Sequence, residues 1–164
     1  VKEIMRKTLY IIRGLPGTGK STLGEKLADS YMDYHPKFGG TKVHSYAADD
    51  WFTDSETGEY TFNPAELGEA HDECNSRVRG AMMSGVENIC VCNTFTQAWE
   101  AAPYFKLAGD FRYTPVVLEC QSEFGNIHGC PQSKIDEMVE RWEPIDERCA
   151  GRWKRTKDSQ RWAS

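Results

Sequence analysis

Gly14-Leu15-Pro16-Gly17-Thr18-Gly19-Lys20-Ser21 carries the spacing G-x-x-x-x-G-K-[ST], with Thr22 directly behind it. Each residue type answers a need of a bound polyphosphate. Glycines let successive backbone N–H groups turn inward, where a side chain would block a phosphate oxygen. Lys20 is placed to reach the β- and γ-phosphates, and the Ser21 hydroxyl to ligate Mg²⁺. The run from Gly14 to Thr22 is therefore the expected nucleotide-binding segment, with a Mg²⁺-bound nucleoside triphosphate as its ligand. No Asn-Lys-x-Asp guanine reader occurs in the chain, so ATP is the expected nucleotide.

Two further clusters could do chemistry beside that loop. Asp49-Asp50 follows an alternating run, Val43 to Ala47, that reads as a strand. In an open α/β sheet ligands bind beyond the carboxyl ends of the strands. A carboxylate there could accept the proton of an attacking hydroxyl or support Mg²⁺. The residues leave open which of the two takes the proton, with Asp50 the candidate for the Mg²⁺ role. Neighbouring residues on an extended chain point to opposite faces, so at most one enters the cleft and the other caps the turn. Asn93, after a third strand, stands where many nucleotide-hydrolysing enzymes carry an Asp, and could position an acceptor oxygen. Trp51 could stack on an unpaired base, whereas Phe95 and Trp99 are expected to pack inside.

The elements that must hold these residues follow from patterning. Thr8 to Ile12 is a β-branched and aromatic run, read as a buried strand. Lys20 to about Tyr34 reads as a helix with Leu23 and Leu27 on one face. Asp54 to Glu59 is a turn with the look of a small hairpin. Asn63 and Pro64 open a helix to about Ser84, which Gly85 ends. Ile89 to Cys92 is another buried strand, and Thr96 caps a helix through about Ala108. Pro115 to Glu119 is the last strand. Ser133 caps a helix whose Ile135, Met138, Val139 and Trp142 make a stripe. Strands alternating with helices point to an α/β fold with a parallel sheet flanked by helices and a short lid. His71 and the pair Met82-Met83 read as structural.

Four segments together resemble the polynucleotide-kinase-like P-loop kinases. They are Gly14 to Thr22, Asp49-Asp50-Trp51-Phe52, Asn93 to Glu100, and Asn126-Ile127-His128-Gly129 with the helix to Glu143. That group includes phage 5′-polynucleotide kinases, phage 5-hydroxymethyluracil DNA kinases and a kinase-like domain of animal proteins that bind a ubiquitin ligase. Tyr60-x-Phe62-Asn63 with Leu67-Gly68-x-Ala70-His71-Asp72 is similar to that last domain. The resemblance implies ATP-dependent phosphorylation of a nucleic-acid hydroxyl, at a 5′ end or on a hydroxymethylated base, with Asp49 as base. It implies a lid over about Ser122 to Gln132. The phage 5′-kinases carry an Arg where Phe52 stands and a lid Arg where Gly125 stands. Arg77, Arg79, Arg141 and His128 are the candidate replacements, with Arg77 and His128 taken as substrate contacts. Two other functions fit the same residues: a kinase of a small metabolite or nucleotide, and an ATP-dependent switch module without phosphotransfer.

Length and charge bound these readings. The 164 residues suit one domain, taken as 1–150, with a basic tail over 151–164. That tail holds five Lys or Arg against one Asp, a net +4, which leaves −9 elsewhere in a chain of net −5. An acidic body disfavours a broad duplex-wrapping surface, while the tail, with Trp153 and Trp162, could hold a strand. The six cysteines form no CxxC pair, and Cys120, His128 and Cys130 match no common zinc spacing. No run approaches the ~18 apolar residues of a membrane span. Val1 to Lys7 has no apolar signal core, so a cytoplasmic location is expected.

Overall fold

The computed structural model describes residues 6–32, 44–122 and 129–146, with side chains omitted for 28–32. Its elements in chain order are β1 (Thr8–Arg13), α1 (Lys20–Met32), β2 (His44–Tyr46), α2 (Leu67–Met83), β3 (Asn88–Cys92), α3 (Ala98–Phe111), β4 (Thr114–Glu119) and α4 (Gln132–Glu140). The strands form one sheet in the order β2-β3-β1-β4. Every pairing is parallel, with Ile11 opposite both Val91 and Val117.

Strand periodicity divides the core into two layers. Leu9, Ile11, Ile89 and Val91 face α2 and α3, in a cluster with Cys74, Val78, Phe95, Tyr104 and Phe105. Ile12, Cys90 and Cys92 face the other way, where Leu23 and Leu27 of α1 cover them. Burial on both faces explains why β1 and β3 read as continuous apolar runs. Each fully buried aliphatic side chain contributes about 1.5–3 kcal/mol. Parallel pairing sends the carboxyl ends of the strands to one edge, so the loop after β1 and the turn after β2 emerge at the same edge, with β3 between their strands.

Several boundaries move from the sequence expectation. β1 runs one residue further, through Arg13, because that guanidinium has partners inside the protein. Asn63 does cap its helix, accepting from the Ala65 N–H at 3.1 Å, but the first turn, Pro64–Glu66, is 3₁₀ before α2 begins. Gly85 ends that helix in the left-handed region at φ 77°. Met82 is buried, while Met83 is 67 % exposed. α3 is capped one residue later than expected. Thr96 is wholly buried, and the Glu100 carboxylate reaches back to the Gln97 N–H at 2.7 Å. It also continues to Phe111, since Gly109 lies on the exposed face and tertiary packing of Leu107 and Ala108 outweighs its ~1 kcal/mol propensity cost. α4 starts at Gln132 after Pro131, so Ser133 is not its cap. Its stripe is only half used, with Val139 55 % exposed and Trp142 beyond the helix end.

Candidate active site

The glycine loop closes on itself. Gly17 and Gly19 take φ of 82° and 90°, values open to glycine at little cost. A Cβ on Gly14 would stand 2.9 Å from the Cys120 carbonyl, so the loop and the end of β4 can touch only without one. The Leu15 carbonyl collects the Thr18 hydroxyl at 2.7 Å and the Lys20 ammonium at 3.0 Å. Lys20 thus lies along the rim of its own loop. Burial lowers its pKa, and the negative charge of Asp49 is the main factor opposing that shift. Ser21 and Thr22 are exposed on the first turn of the 13-residue α1. Inward glycine backbone, a helix N-terminus and an ammonium form a cradle that fits a polyphosphate.

The facing lip is one 3₁₀ turn, Ala48–Phe52. Its start is pinned by the buried Asn93, whose Oδ1 accepts from the Ala48 N–H at 2.8 Å. Asp50 caps the turn: its Oδ2 accepts from the Ala47 N–H at 3.0 Å and from Arg77 at 3.1 Å. Arg77 also lies 4.8 Å above the Tyr46 ring and 3.8 Å from Glu73. Asp49 has a different environment, since its charge is felt at Lys20. The Tyr60 hydroxyl donates to its Oδ1 at 3.2 Å. Trp51 is 42 % exposed, with its indole N–H donating to Glu66 at 2.9 Å. Phe52 is buried, edge-on to Phe62 at 5.0 Å between ring centres.

Lys20 thus feels the charge of Asp49, whereas Asp50 is paired with Arg77. Asn93 is turned inward to hold the backbone of that turn. Phe95 packs edge-on against Tyr104, and Trp99 is half-buried with its N–H on Gln97. His71 is a half-buried residue of α2 whose pKa burial lowers to about 4. His128 and the tail 151–164 lie outside the described residues, as does most of the expected lid.

Sequence reasoning missed two residues. Tyr60 could have been found from the alternation Tyr60-x-Phe62 returning after the Asp54 turn. Arg13 could not. It is 1 % exposed. Its Nε and Nη2 donate to the Phe95 carbonyl at 3.1 and 2.7 Å, Glu119 lies 3.5 Å away, and the Trp142 ring stacks 4.0 Å from the guanidinium. Arg141 and Glu143 complete this clasp, through Thr96 Oγ1 at 2.9 Å and the Ala98 N–H at 2.9 Å. The clasp ties the end of β1, just before the glycine loop, to the connection between β3 and α3.

No family model matches the chain. It is 31 % identical over 159 residues to NEDD4-binding protein 2 of Homo sapiens, an alignment covering 87 % of this chain and 8 % of that protein. It is 28 % identical over 116 residues to the 2′,3′-cyclic-nucleotide 3′-phosphodiesterase of Mus musculus, covering 69 % of this chain and 24 % of that one. The chain thus spans a minor part of the length of these relatives. Among solved structures it is similar to Chaetomium thermophilum Kti12 in complex with ADP-AlF3, with TM-score 0.59, 13 % identity and 93 % of each chain covered. It is also similar to a chain of the Pnkp1/Rnl/Hen1 RNA repair complex, with TM-score 0.55, 14 % identity, 89 % of this chain and 50 % of that one. With its parallel sheet, glycine loop and following helix, the chain has the α/β P-loop NTPase fold. Among the described residues no helix is long and apolar enough to cross a membrane.

Proposed function

We propose that the protein is an ATP-dependent phosphotransferase acting on an alcohol, and that the alcohol belongs to a nucleic acid. The observation that carries the first half is the glycine loop after β1, with Gly17 and Gly19 at positive φ and Lys20 at the start of α1. The Asp49 charge acts on that ammonium, a cation for the phosphate side and a carboxylate for the acceptor side. In this reading the acceptor O–H gives its proton to Asp49 as its oxygen bonds to the γ-phosphorus. The bond from that phosphorus to the β–γ bridging oxygen breaks, and its electron pair leaves on ADP. Lys20 and the N–H groups of the loop hold the phosphates throughout and exchange no proton. Ser21 would hold Mg²⁺, which would supply charge neutralisation when bound; Asp50, expected as a second ligand, is committed instead to the Ala47 N–H and Arg77.

The nucleic-acid half is supported by the names of two similar proteins, a cyclic-nucleotide phosphodiesterase and a member of an RNA repair complex. The kinship with polynucleotide-kinase-like enzymes belongs to the same proposal, as does the single domain over 1–150. Exposed Trp51 offers a face on which an unpaired base could stack.

A second reading, a small uncharged or cationic alcohol as acceptor, is favoured by one observation. Between Lys42 and Arg77 the chain carries nine Asp or Glu and no Lys or Arg. The acceptor lip, Ala48–Phe52, lies within this stretch, whose negative charge repels a polyanion. The deciding experiment incubates the protein with labelled ATP and a panel of 5′-hydroxyl oligonucleotides, hydroxymethylated DNA and small alcohols. Label on an oligonucleotide or modified base supports the nucleic-acid reading. Label confined to small alcohols selects the second. ATP binding without transfer to any acceptor removes both and leaves a nucleotide-dependent switch.

A further inference from the structure

Asp49 is held by more than its own backbone. Its carbonyl accepts from Thr53 Oγ1 at 3.1 Å, and its carboxylate Oδ1 accepts from Tyr60 at 3.2 Å. A dedicated piece of chain brings Tyr60 there. Asp54 reverses the backbone by accepting from the N–H groups of Glu56 and Thr57 at 2.9 and 2.7 Å, an Asx-type turn that Gly58 completes at φ 72°. The Asp54 N–H then donates to the Glu59 carbonyl at 2.8 Å, and the Thr61 N–H to the Phe52 carbonyl at 2.9 Å. Thr53 and Tyr60 stand opposite each other as an antiparallel bridge. The Tyr60 ring packs edge-on to the buried Phe52 at 6.3 Å between centres, which fixes the ring and leaves its hydroxyl end toward Asp49.

Burial and the neighbouring Asp49 charge raise the Tyr60 phenol above its ordinary range. The hydroxyl keeps its proton at neutral pH, and toward a carboxylate it acts as donor. One carboxylate oxygen is therefore occupied, and the carboxyl torsion, otherwise broad, is fixed.

We propose that Tyr60 is a positioning residue: by occupying Oδ1 of Asp49 it presents Oδ2 to the acceptor hydroxyl. This rests on the phosphotransfer reading above. The proton released by the acceptor goes to Oδ2, while the Tyr60 proton stays on its phenol. Proton transfer needs the two oxygens held within hydrogen-bond reach, and a freely rotating carboxylate spends only part of its time there.

The test compares wild type, Tyr60→Phe, Asp49→Asn and the double variant on the acceptor that the panel identifies. Phenylalanine keeps the ring and its contact with Phe52, and thermal melting checks that the variant folds like wild type. Tyr60→Phe should lower kcat about 10- to 100-fold, the scale of a misplaced reacting group. The KM values for ATP and acceptor should stay within about twofold of wild type. In the Asp49→Asn background the Tyr60 change should cost nothing more, because the two act as one unit. A Tyr60→Phe kcat equal to wild type beside a slow Asp49→Asn overturns the inference and leaves the phosphotransfer reading standing. A raised KM at unchanged kcat overturns it in the same way, as does a full additional loss in the double variant. A wild type that labels no acceptor overturns both.

Discussion

The loop Gly14–Gly19 and the turn Ala48–Phe52 each follow a strand of the same sheet, yet they hold their groups by different means. The loop is almost self-sufficient. Its bonds run between residues three to five apart, Thr18 and Lys20 to Leu15, and its shape comes from glycine conformation. The turn is held from outside: Asn93 grips its start, Arg77 its cap, and Tyr60 its leading carboxylate. A phosphate cradle depends on backbone N–H groups, which every residue carries and glycine only has to expose. In the proposed phosphotransfer a general base needs one side chain at one angle, so side chains from elsewhere must set it. The first device is local in sequence and the second is tertiary.

This contrast can be broken most severely at the two charges. Asp49→Asn should cut phosphotransfer by about 10²–10⁴ while leaving the Kd for ATP near wild type. Lys20→Ala should lower turnover by about 10²–10³ and weaken ATP binding as well. Rapid-quench kinetics with calorimetric titration of ATP separates the two. Equal losses of ATP affinity in both variants would mean that the lips are not divided between nucleotide and acceptor.

Arg13→Met probes the clasp beneath the loop. It strips the buried Phe95 carbonyl of its donors and leaves Glu119 without its cation, so stability should fall by about 3 kcal/mol. A lower urea midpoint at unchanged slope is the expected signature. Asn93→Ala acts on the other lip by leaving the Ala48 N–H without an acceptor, at a cost of about 1–3 kcal/mol. Hydrogen exchange at Ala48 should accelerate more than exchange in β1. Equal acceleration throughout the sheet would show that Asn93 supports the whole fold instead of one turn.

A further effect, confined to acid pH, concerns α2, which carries Arg77 against the turn Ala48–Phe52. Burial depresses the His71 pKa from 6.5 to about 4 in the folded protein. The unfolded chain therefore binds the proton more tightly. The stability tied to neutral His71 is complete above pH 6.5 and is lost as pH falls toward 4. Chemical denaturation of wild type and His71→Gln across that window should give curves that diverge at neutral pH and converge in acid. Parallel curves would remove His71 from the acid response.

How much could be read in advance follows the same division. The cradle was legible because Gly14 to Ser21 sit beside one another in the chain. The Asp49-Asp50 pair was half legible. Extended-chain alternation implies one aspartate toward the cleft and one cap; the pair lies instead in a 3₁₀ turn, where alternation does not hold, and the cap arises because Asp50 turns back onto Ala47 and Arg77. Asn93 was expected at the acceptor and is instead turned inward, because the buried Ala48 N–H requires an acceptor there. Thr96 read as a cap from its type alone, yet Glu100 and Glu143 satisfy the first N–H groups of α3. Nothing in the residues around position 13 announces that an arginine ends a core strand. Its partners, Phe95, Glu119 and Trp142, are 82 or more positions away.

The amino-acid order alone determined the alternation of strand and helix, the apolar runs that bury β1 and β3 on both faces, and the glycine spacing that opens a backbone to phosphate. These are consequences of periodicity and of local steric freedom, which neighbours in the chain decide between themselves. Only the tertiary structure decided which aspartate's charge acts on Lys20, which oxygen of it accepts from Tyr60, and why Arg13 can be buried. Those outcomes depend on hydrogen bonds and charges between segments that only the parallel sheet brings together.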